Sequence, residues 1–208
     1  MARWAPDNVY ATAKPGLRAR AAAVASGRAR ARRHERLFSL TGATARTRIL
    51  DIGCGRLGLR RHAPDHDITG VDLAPRPDYP GPFVQADVLA GLPFEDGAFD
   101  LAYCSSVIEH VAPWQRPAFA RELRRVARGW YVQTPAYSFP IEPHALLPFA
   151  HWLPPALRRP YWRLGVAGGW EEIALLRRGE MEELFGTPVA ERLGPLVKSW
   201  VSVRPLAS

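Results

Sequence analysis

The stretch ILDIGCGRLG, residues 49–58, joins a short apolar run to a glycine-rich turn. Its three glycines have the G-x-G-x-x-G spacing of a turn that cradles the pyrophosphate of NAD, and an acid, Asp72, follows at the end of the next apolar run. Asp51, however, stands two residues before the first glycine, where its carboxylate would repel a pyrophosphate. The stretch therefore predicts a parallel α/β sheet and leaves the ligand of the turn open.

Short apolar or β-branched runs closed by Gly, Pro or Asp continue along the chain in a β/α rhythm. Five of them predict central strands of a parallel sheet, over 47–52, 67–72, 82–88, 98–105 and 130–135. Near the end, the runs PVAERL and VKSWVSV flank a Gly-Pro pair and predict antiparallel strands. The pattern is typical of a single α/β domain.

The connections between these strands are uneven. Residues 115–128 predict an amphipathic helix, with apolar side chains on one face, arginines on the other and Gly129 placed to end it. Residues 73–82 contain four prolines, and a parallel crossover normally takes a dozen or more residues with a helix. We therefore expect a loop there in place of a crossover helix.

Composition bounds the class of protein. The 208 residues suit one α/β domain with a full core, and the formal charge of +8 is concentrated at the start, since residues 1–61 carry 14 Lys and Arg against 3 Asp and Glu. We expect residues 1–46 to form a basic helical arm that caps the core, with a helix at about 17–40; a transit peptide is the alternative.

Two cysteines, Cys54 and Cys104, make no disulfide framework in a chain of this length. The longest apolar candidate for a membrane span, residues 145–157, is interrupted by prolines. We therefore expect a cytoplasmic protein with no membrane span.

Four blocks in the region of about 47–135 resemble the class I S-adenosylmethionine (SAM)-dependent methyltransferases of the small-molecule, type 11-like branch. They are ILDIGCG, GVDLA, FVQADVLAGLPFEDGAFDLAYCSSVIEHV and WYVQTP, in this order. The resemblance implies a Rossmann-like methyltransferase fold over 47–208, an α/β fold with a mostly parallel seven-stranded sheet, a C-terminal antiparallel strand and an insertion after strand five at 134–170. It also implies SAM as the cofactor, and SAM brings an ammonium to Asp51 where NAD would bring a pyrophosphate.

The resemblance further implies a cofactor site at the carboxyl ends of the first four strands. Its residues are Asp51, Gly53, Cys54 and Gly55 at the turn, Asp72 at the ribose, Leu73, Asp87 and Val88 at the adenine, and Ser105 beside the methionine moiety. Asp51 as a helix cap and Asp87 as a turn residue are the alternatives. The family's third glycine commonly lies where Leu57 stands, so the turn is expected to be wider than in relatives.

Candidate catalytic residues lie after strands four and five. His110 is a candidate general base or a hydrogen-bonded histidine that closes the pocket. In the proline- and aromatic-rich stretch 134–162, Glu142 and His144 could form a carboxylate–imidazole pair that holds His144 as a base. The alternative is a packed structural arm, which could also form the interface of a homodimer.

No metal ion is expected at either group. Some relatives carry an extra acid three residues before Glu109 and bind a metal there, but this chain has Ser106 at that position. The set Glu142, His144 and His151 lacks the helical spacing or cysteine partner of a metal motif.

The expected activity is methyl transfer from SAM to a small-molecule, sugar or lipid-linked acceptor, at a hydroxyl oxygen, with transfer to nitrogen as the alternative within the same chemistry. The alternatives are an RNA methyltransferase that uses the basic N-terminal region, a SAM-fold scaffold without catalysis, and an NAD oxidoreductase. The basic region offers arginines without interleaved aromatic residues, so nucleic acid is not expected as a partner.

Overall fold

The computed structural model describes residues 33–56, 58–167, 169–170 and 172–206. The first five strands are β1 (Ile49–Ile52), β2 (Ile68–Asp72), β3 (Phe83–Gln85), β4 (Phe99–Ser105) and β5 (Ala127–Pro135). A short hairpin follows, formed by β6 (Ile141–Glu142) and β7 (Leu147–Pro148), and the last two strands are β8 (Val189–Leu193) and β9 (Leu196–Arg204). The predicted strands are thus confirmed, with ends that differ by a few residues.

Seven of these strands form one mixed sheet in the order β3-β2-β1-β4-β5-β9-β8. Strands β1 to β5 are parallel, whereas β9 runs antiparallel to both β5 and β8. The carboxyl ends of β1 to β4 therefore meet at one edge of the sheet, which is where ligands bind in open α/β sheets.

Helices cover both faces of the sheet. The described helices are α1 (residues 33–41), α2 (Arg116–Val126), α3 (Pro155–Trp162) and α4 (Arg178–Phe185); α1, α2 and α4 pack on the sheet, whereas α3 lies in the insertion after β5. Because side chains alternate along a strand, Leu50 packs with α2 and α4 on one face while its neighbour Ile49 packs with Leu37 of α1 on the other. The described part of the N-terminal arm thus caps the core, and residues 1–32 lie outside the described residues.

The prediction that Gly129 ends the helix after strand four is wrong. Helix α2 ends at Val126, and the chain passes directly into β5, where Gly129 pairs with Leu101 of β4. A Cβ at Gly129 would lie 2.7 Å from the carbonyl oxygen of Arg204. Glycine is needed here for the close approach of β9 to the sheet, and the helix ends without it.

The connections at the amino-terminal half are short. Residues 73–82 form a loop, as predicted. Between β1 and β2 the described residues contain one 3-10 turn, Leu59–Arg61, and no α-helix. The glycine turn therefore does not open a long helix, which the dinucleotide-binding pattern requires.

The insertion after β5 has a small core of its own, formed by Ala145, Leu147, Ala150, Trp162 and Ala167. It contains the β6–β7 hairpin and α3. Just after the insertion, the backbone N–H of Ala174 donates to the carbonyl of Glu109, which holds this segment against the turn after β4. Among the described residues, none of the helices is long and apolar enough to cross a membrane.

Candidate active site

The glycine turn after β1 has a backbone conformation that favours glycine. Gly53 and Gly55 have φ values of 68° and 59°, a region that residues with a Cβ rarely adopt. A Cβ on Gly53 would also lie 2.4 Å from a methyl carbon of Val107. The N–H of Gly55 donates to Asp72 Oδ2 at 2.9 Å, so the turn is tied to the end of β2. Cys54 between the two glycines is buried and free.

The side chain of Asp51 is hydrogen-bonded to the segment that follows the glycine turn. Its buried Oδ2 accepts a hydrogen bond of 2.7 Å from the N–H of Leu59, at the start of the 3-10 turn. A Cβ on Gly58 would lie 2.2 Å from the same oxygen, so Gly58 makes room for the carboxylate. Burial, reinforced by the charge of Asp72, raises the pKa of Asp51 to about 7. The structure thus shows the capping alternative, and the contact with an ammonium stays a prediction.

Asp72 at the end of β2 is a preorganised acceptor. Its carboxylate accepts hydrogen bonds from the N–H groups of Gly55 and Ala74, and it pairs with the buried guanidinium of Arg76 at 3.1 Å. Burial raises the pKa of Asp72, whereas the hydrogen bonds from the backbone N–H groups lower it by less. Leu73 beside it is 39% exposed and is available to pack on a ligand. No sequence pattern pointed to Arg76, because it lies in a proline-rich loop without periodicity.

Asp87 and Val88 follow β3 at the outer end of this edge. Asp87 is exposed, and its Oδ1 accepts from the N–H of Leu89 at 2.8 Å, which caps the 3-10 turn Val88–Ala90. Asp87 thus has the turn role that was the alternative to a contact with adenine. Their contacts with adenine stay predictions.

Polar side chains form a short chain of hydrogen bonds at the end of β4. Ser105 Oγ donates to Gln133 Oε1 at 2.8 Å and accepts from the guanidinium of Arg33 at 3.0 Å. The next residue, Ser106, has a φ of 58°, a strained value for a residue other than glycine. Sequence reasoning missed Gln133 and Arg33; the polar Gln133 within the apolar run of strand five was the one available signal.

The insertion brings a carboxylate–imidazole pair to this edge. Glu142 Oε1 lies 2.7 Å from His144 Nδ1, and Glu142 Oε2 accepts from the N–H groups of His144 and Ala145. Both side chains are buried. The ring of His144 meets that of His110 edge to face, with centroids 5.1 Å apart. The predicted pair between Glu142 and His144 is therefore present, and it faces the second candidate base.

Glu109 completes the group. It is fully buried, its Oε2 accepts from Thr134 Oγ1 at 3.0 Å, and burial raises its pKa while the charge of His144 lowers it. Burial, with the charge of His144, lowers the pKa of His110 to about 3. One ligand atom from each of Glu109, His110 and His144 lies within 4.8 Å of the others.

In the sequence, Glu109 with His110 and Glu142 with His144 and His151 were two separate candidate metal sites, and no metal ion was expected at either. The structure joins members of both sets, which are 34 to 35 residues apart in the chain. His151 lies elsewhere, with its Nε2 at 2.9 Å from the carbonyl oxygen of Tyr137.

Comparisons with known proteins agree with this geometry. Residues 50–129 match the family model described as a methyltransferase domain. The PH0226 protein of Pyrococcus horikoshii OT3 is a similar solved structure, with a TM-score of 0.60, 19% identity, and coverage of 86% of this chain and 91% of that chain. A SAM-dependent methyltransferase of Methanosarcina mazei has a TM-score of 0.51, 18% identity, and coverage of 79% and 95%. No curated protein matches the sequence.

The two solved structures show the fold, and the matched segment contains the glycine turn and all the predicted cofactor residues. Residues 50–129 thus match a methyltransferase domain in sequence, and the chain shares its fold with a solved SAM-dependent methyltransferase, which supports a methyltransferase with SAM as the methyl donor.

Proposed function

We propose that the enzyme transfers the methyl group of SAM to a hydroxyl oxygen of a small-molecule, sugar or lipid-linked acceptor. The observation that carries the proposal is the buried Glu142–His144 pair, which the insertion holds against His110 at the carboxyl end of the sheet. A hydroxyl must lose its proton on methylation, and a carboxylate-oriented imidazole is suited to accept it.

The hydrogen bond to Glu142 defines the role of each nitrogen of His144. With Nδ1–H donating to the carboxylate, Nε2 carries the lone pair and accepts the hydroxyl proton. The acceptor oxygen forms its bond to the methyl carbon as the bond from that carbon to sulfur breaks, and the electron pair stays on sulfur. The products are the methyl ether and S-adenosylhomocysteine, and the protein contributes orientation and removal of the proton.

In the same proposal the turn residues bind the cofactor. The ammonium of SAM faces Asp51, the turn from Gly53 to Gly55 receives its carboxylate, and the ribose hydroxyls donate to Asp72. Arg76 pairs with the Asp72 carboxylate, so a bound ribose would either share this carboxylate with Arg76 or displace Arg76 from it. The positive φ values of the turn and the hydrogen bond from Gly55 to Asp72 support this arrangement.

Apolar side chains around the insertion support an acceptor with an apolar or ring-shaped surface. Trp114, just after His110, is 81% exposed, and Phe149 and Trp152 of the insertion are also exposed. Indole and phenyl rings bind sugar faces and hydrocarbon through their large contact area.

The cofactor half of the proposal is tested by calorimetric titration with SAM and S-adenosylhomocysteine, with NAD as the control ligand. We expect micromolar binding of the first two and none of NAD, and we expect Asp72→Ala to lose the binding. A folded protein that binds neither compound would contradict the proposal and favour a scaffold.

The acceptor half is tested by screening hydroxylated metabolites, sugars and lipid-linked glycans for formation of S-adenosylhomocysteine, with the product identified by mass spectrometry. With a responding acceptor, His144→Asn is expected to lower kcat about 100-fold or more while SAM affinity is kept. The matched control is His151→Asn, another buried histidine of the insertion. Methylation at nitrogen, or equal kcat in the two variants, would contradict the assignment.

A further inference from the structure

We propose that Glu109, His110 and His144 bind one divalent transition-metal ion, with zinc as the representative ion. These are two imidazoles and one carboxylate, a donor set found in zinc enzymes that keep a coordination position open. The structure alone joins them, since Glu109 and His110 lie in the turn after β4 and His144 in the insertion.

Glu109 provides the first independent observation. Its carboxylate is fully buried, yet only Oε2 has a hydrogen-bond donor, Thr134; within the described part of the chain Oε1 has none. A buried carboxylate oxygen without a donor is costly, and such a group calls for a ligand or ion as its partner. Oε1 is thus the oxygen available to a cation.

The Glu142–His144 hydrogen bond provides the second observation. Metal-binding histidines commonly donate their other ring N–H to a carboxylate, which fixes the tautomer and the ring orientation. Glu142 holds Nδ1 of His144 at 2.7 Å and is itself fixed by two backbone N–H groups. The outer shell of a metal site is therefore already built, with Nε2 of His144 as the ligand atom.

The distances allow coordination after a small contraction. Ligand atoms on a tetrahedral zinc ion lie about 3.4 Å from one another, given bonds of about 2.1 Å. One ligand atom from each of the three residues lies within 4.8 Å of the other two, so these distances must shorten by no more than about 1.4 Å. Side-chain rotation supplies such a shift, and the fourth position stays open to a ligand oxygen.

The charges also balance. Glu109 supplies a carboxylate as a ligand and Glu142 a second one behind His144, and two carboxylates match the charge of a divalent cation.

The inference does not depend on methyl transfer, because its readout is metal binding. It does change the role of His144 when the ion is present. As a ligand, His144 cannot accept the acceptor's proton, and an ion that binds the acceptor oxygen lowers the pKa of that hydroxyl instead. Methyl transfer that survives removal of metal would favour the imidazole as base, whereas the binding data decide the site itself.

The test is titration of the chelator-treated, full-length protein with Zn²⁺ by calorimetry and with Co²⁺ by absorption spectroscopy. We expect one ion per chain with micromolar or tighter affinity, weakened more than about 100-fold in Glu109→Gln and His144→Asn and about 10- to 100-fold in Glu142→Gln. His151→Asn is the matched control and is expected to bind as the unaltered protein does.

Absence of a tight site, or unchanged affinity in Glu109→Gln, would overturn the proposal. X-ray absorption of the zinc-loaded unaltered protein provides a measurement that needs no variant. We expect nitrogen and oxygen neighbours with an imidazole signature. Sulfur neighbours would assign the ion to Cys54 or Cys104 and overturn the proposal.

Discussion

Asp51 offers a sharp test of how the glycine turn holds its cofactor, by way of pH. Its carboxyl is buried at the end of β1, and burial raises its pKa to about 7. If the ammonium of SAM binds the ionised carboxylate, SAM must select the ionised fraction of the protein. Affinity is then expected to fall as the pH falls below 7, because protonation of Asp51 removes the negative charge.

The magnitude follows from the pKa. With a value of about 7, about nine-tenths of the Asp51 side chains are ionised at pH 8 and about one-tenth at pH 6. Apparent affinity for SAM is therefore expected to be about tenfold weaker at pH 6 than at pH 8. Protons released on binding at pH 6.5 are expected to appear as a dependence of the calorimetric heat on the buffer used.

Asp51→Asn is the matched variant, since the amide oxygen of asparagine can still accept from Leu59 N–H. We expect this variant to bind SAM more weakly at pH 8 and to lose most of the pH dependence between 6 and 8. Any contribution from the cofactor's own groups or from Asp72 is common to both proteins and cancels in the comparison. Identical pH profiles for the two proteins would refute a contact between Asp51 and the ammonium.

Three further predictions concern stability. The folded-state pKa of Asp51 lies above its ordinary 3.8, so protonation of Asp51 stabilises the fold fully below about pH 4, and this stability is lost as the pH rises through 7. Denaturant unfolding of the protein without added SAM should show the free energy of unfolding fall by up to about 4 kcal/mol over this range, a fall that Asp51→Asn lacks. Parallel pH dependence in the two proteins would contradict this. Gly58→Ala should lower the free energy of unfolding by about 1–3 kcal/mol or more, because its Cβ would lie 2.2 Å from Asp51 Oδ2. In thermal unfolding, Gly55→Ala should lose less stability, since a Cβ there meets open space, and equal losses in the two variants would contradict the packing argument. Arg116→Ala should cost about 3–5 kcal/mol in urea unfolding, because the buried guanidinium holds two backbone carbonyls and Glu180, whereas exposed Arg121→Ala should stay within about 0.5 kcal/mol.

Much of the fold could be predicted because its signals are local. The period of apolar residues and the Gly, Pro or Asp at each end indicated the strands; β1 to β4 formed within their predicted windows, whereas β5 begins three residues before its own. The loop at residues 73–82 followed from its length and prolines. Gly129 was misread because a glycine after an amphipathic run has two uses, to end a helix or to admit a neighbouring strand, and only the position of β9 decides between them.

The candidate site was predictable in part. Asp51, Asp72 and Asp87 stand at strand ends, and parallel strands bring such ends to one edge of the sheet. Their partners in the ligand-free protein were harder to foresee. Arg76 on Asp72 and Arg33 on Ser105 come from segments with abundant arginine, where no pattern marks one arginine above another.

The sequence by itself determined the parallel sheet, the glycine turn and the pairing of Glu142 with His144, because each depends on residues near one another in the chain. The tertiary structure alone decided that His144 meets Glu109 and His110, and that Arg33 reaches Ser105 across 72 residues. The physical reason is that a contact between distant segments depends on how their elements pack, which the local preferences of neither segment encode.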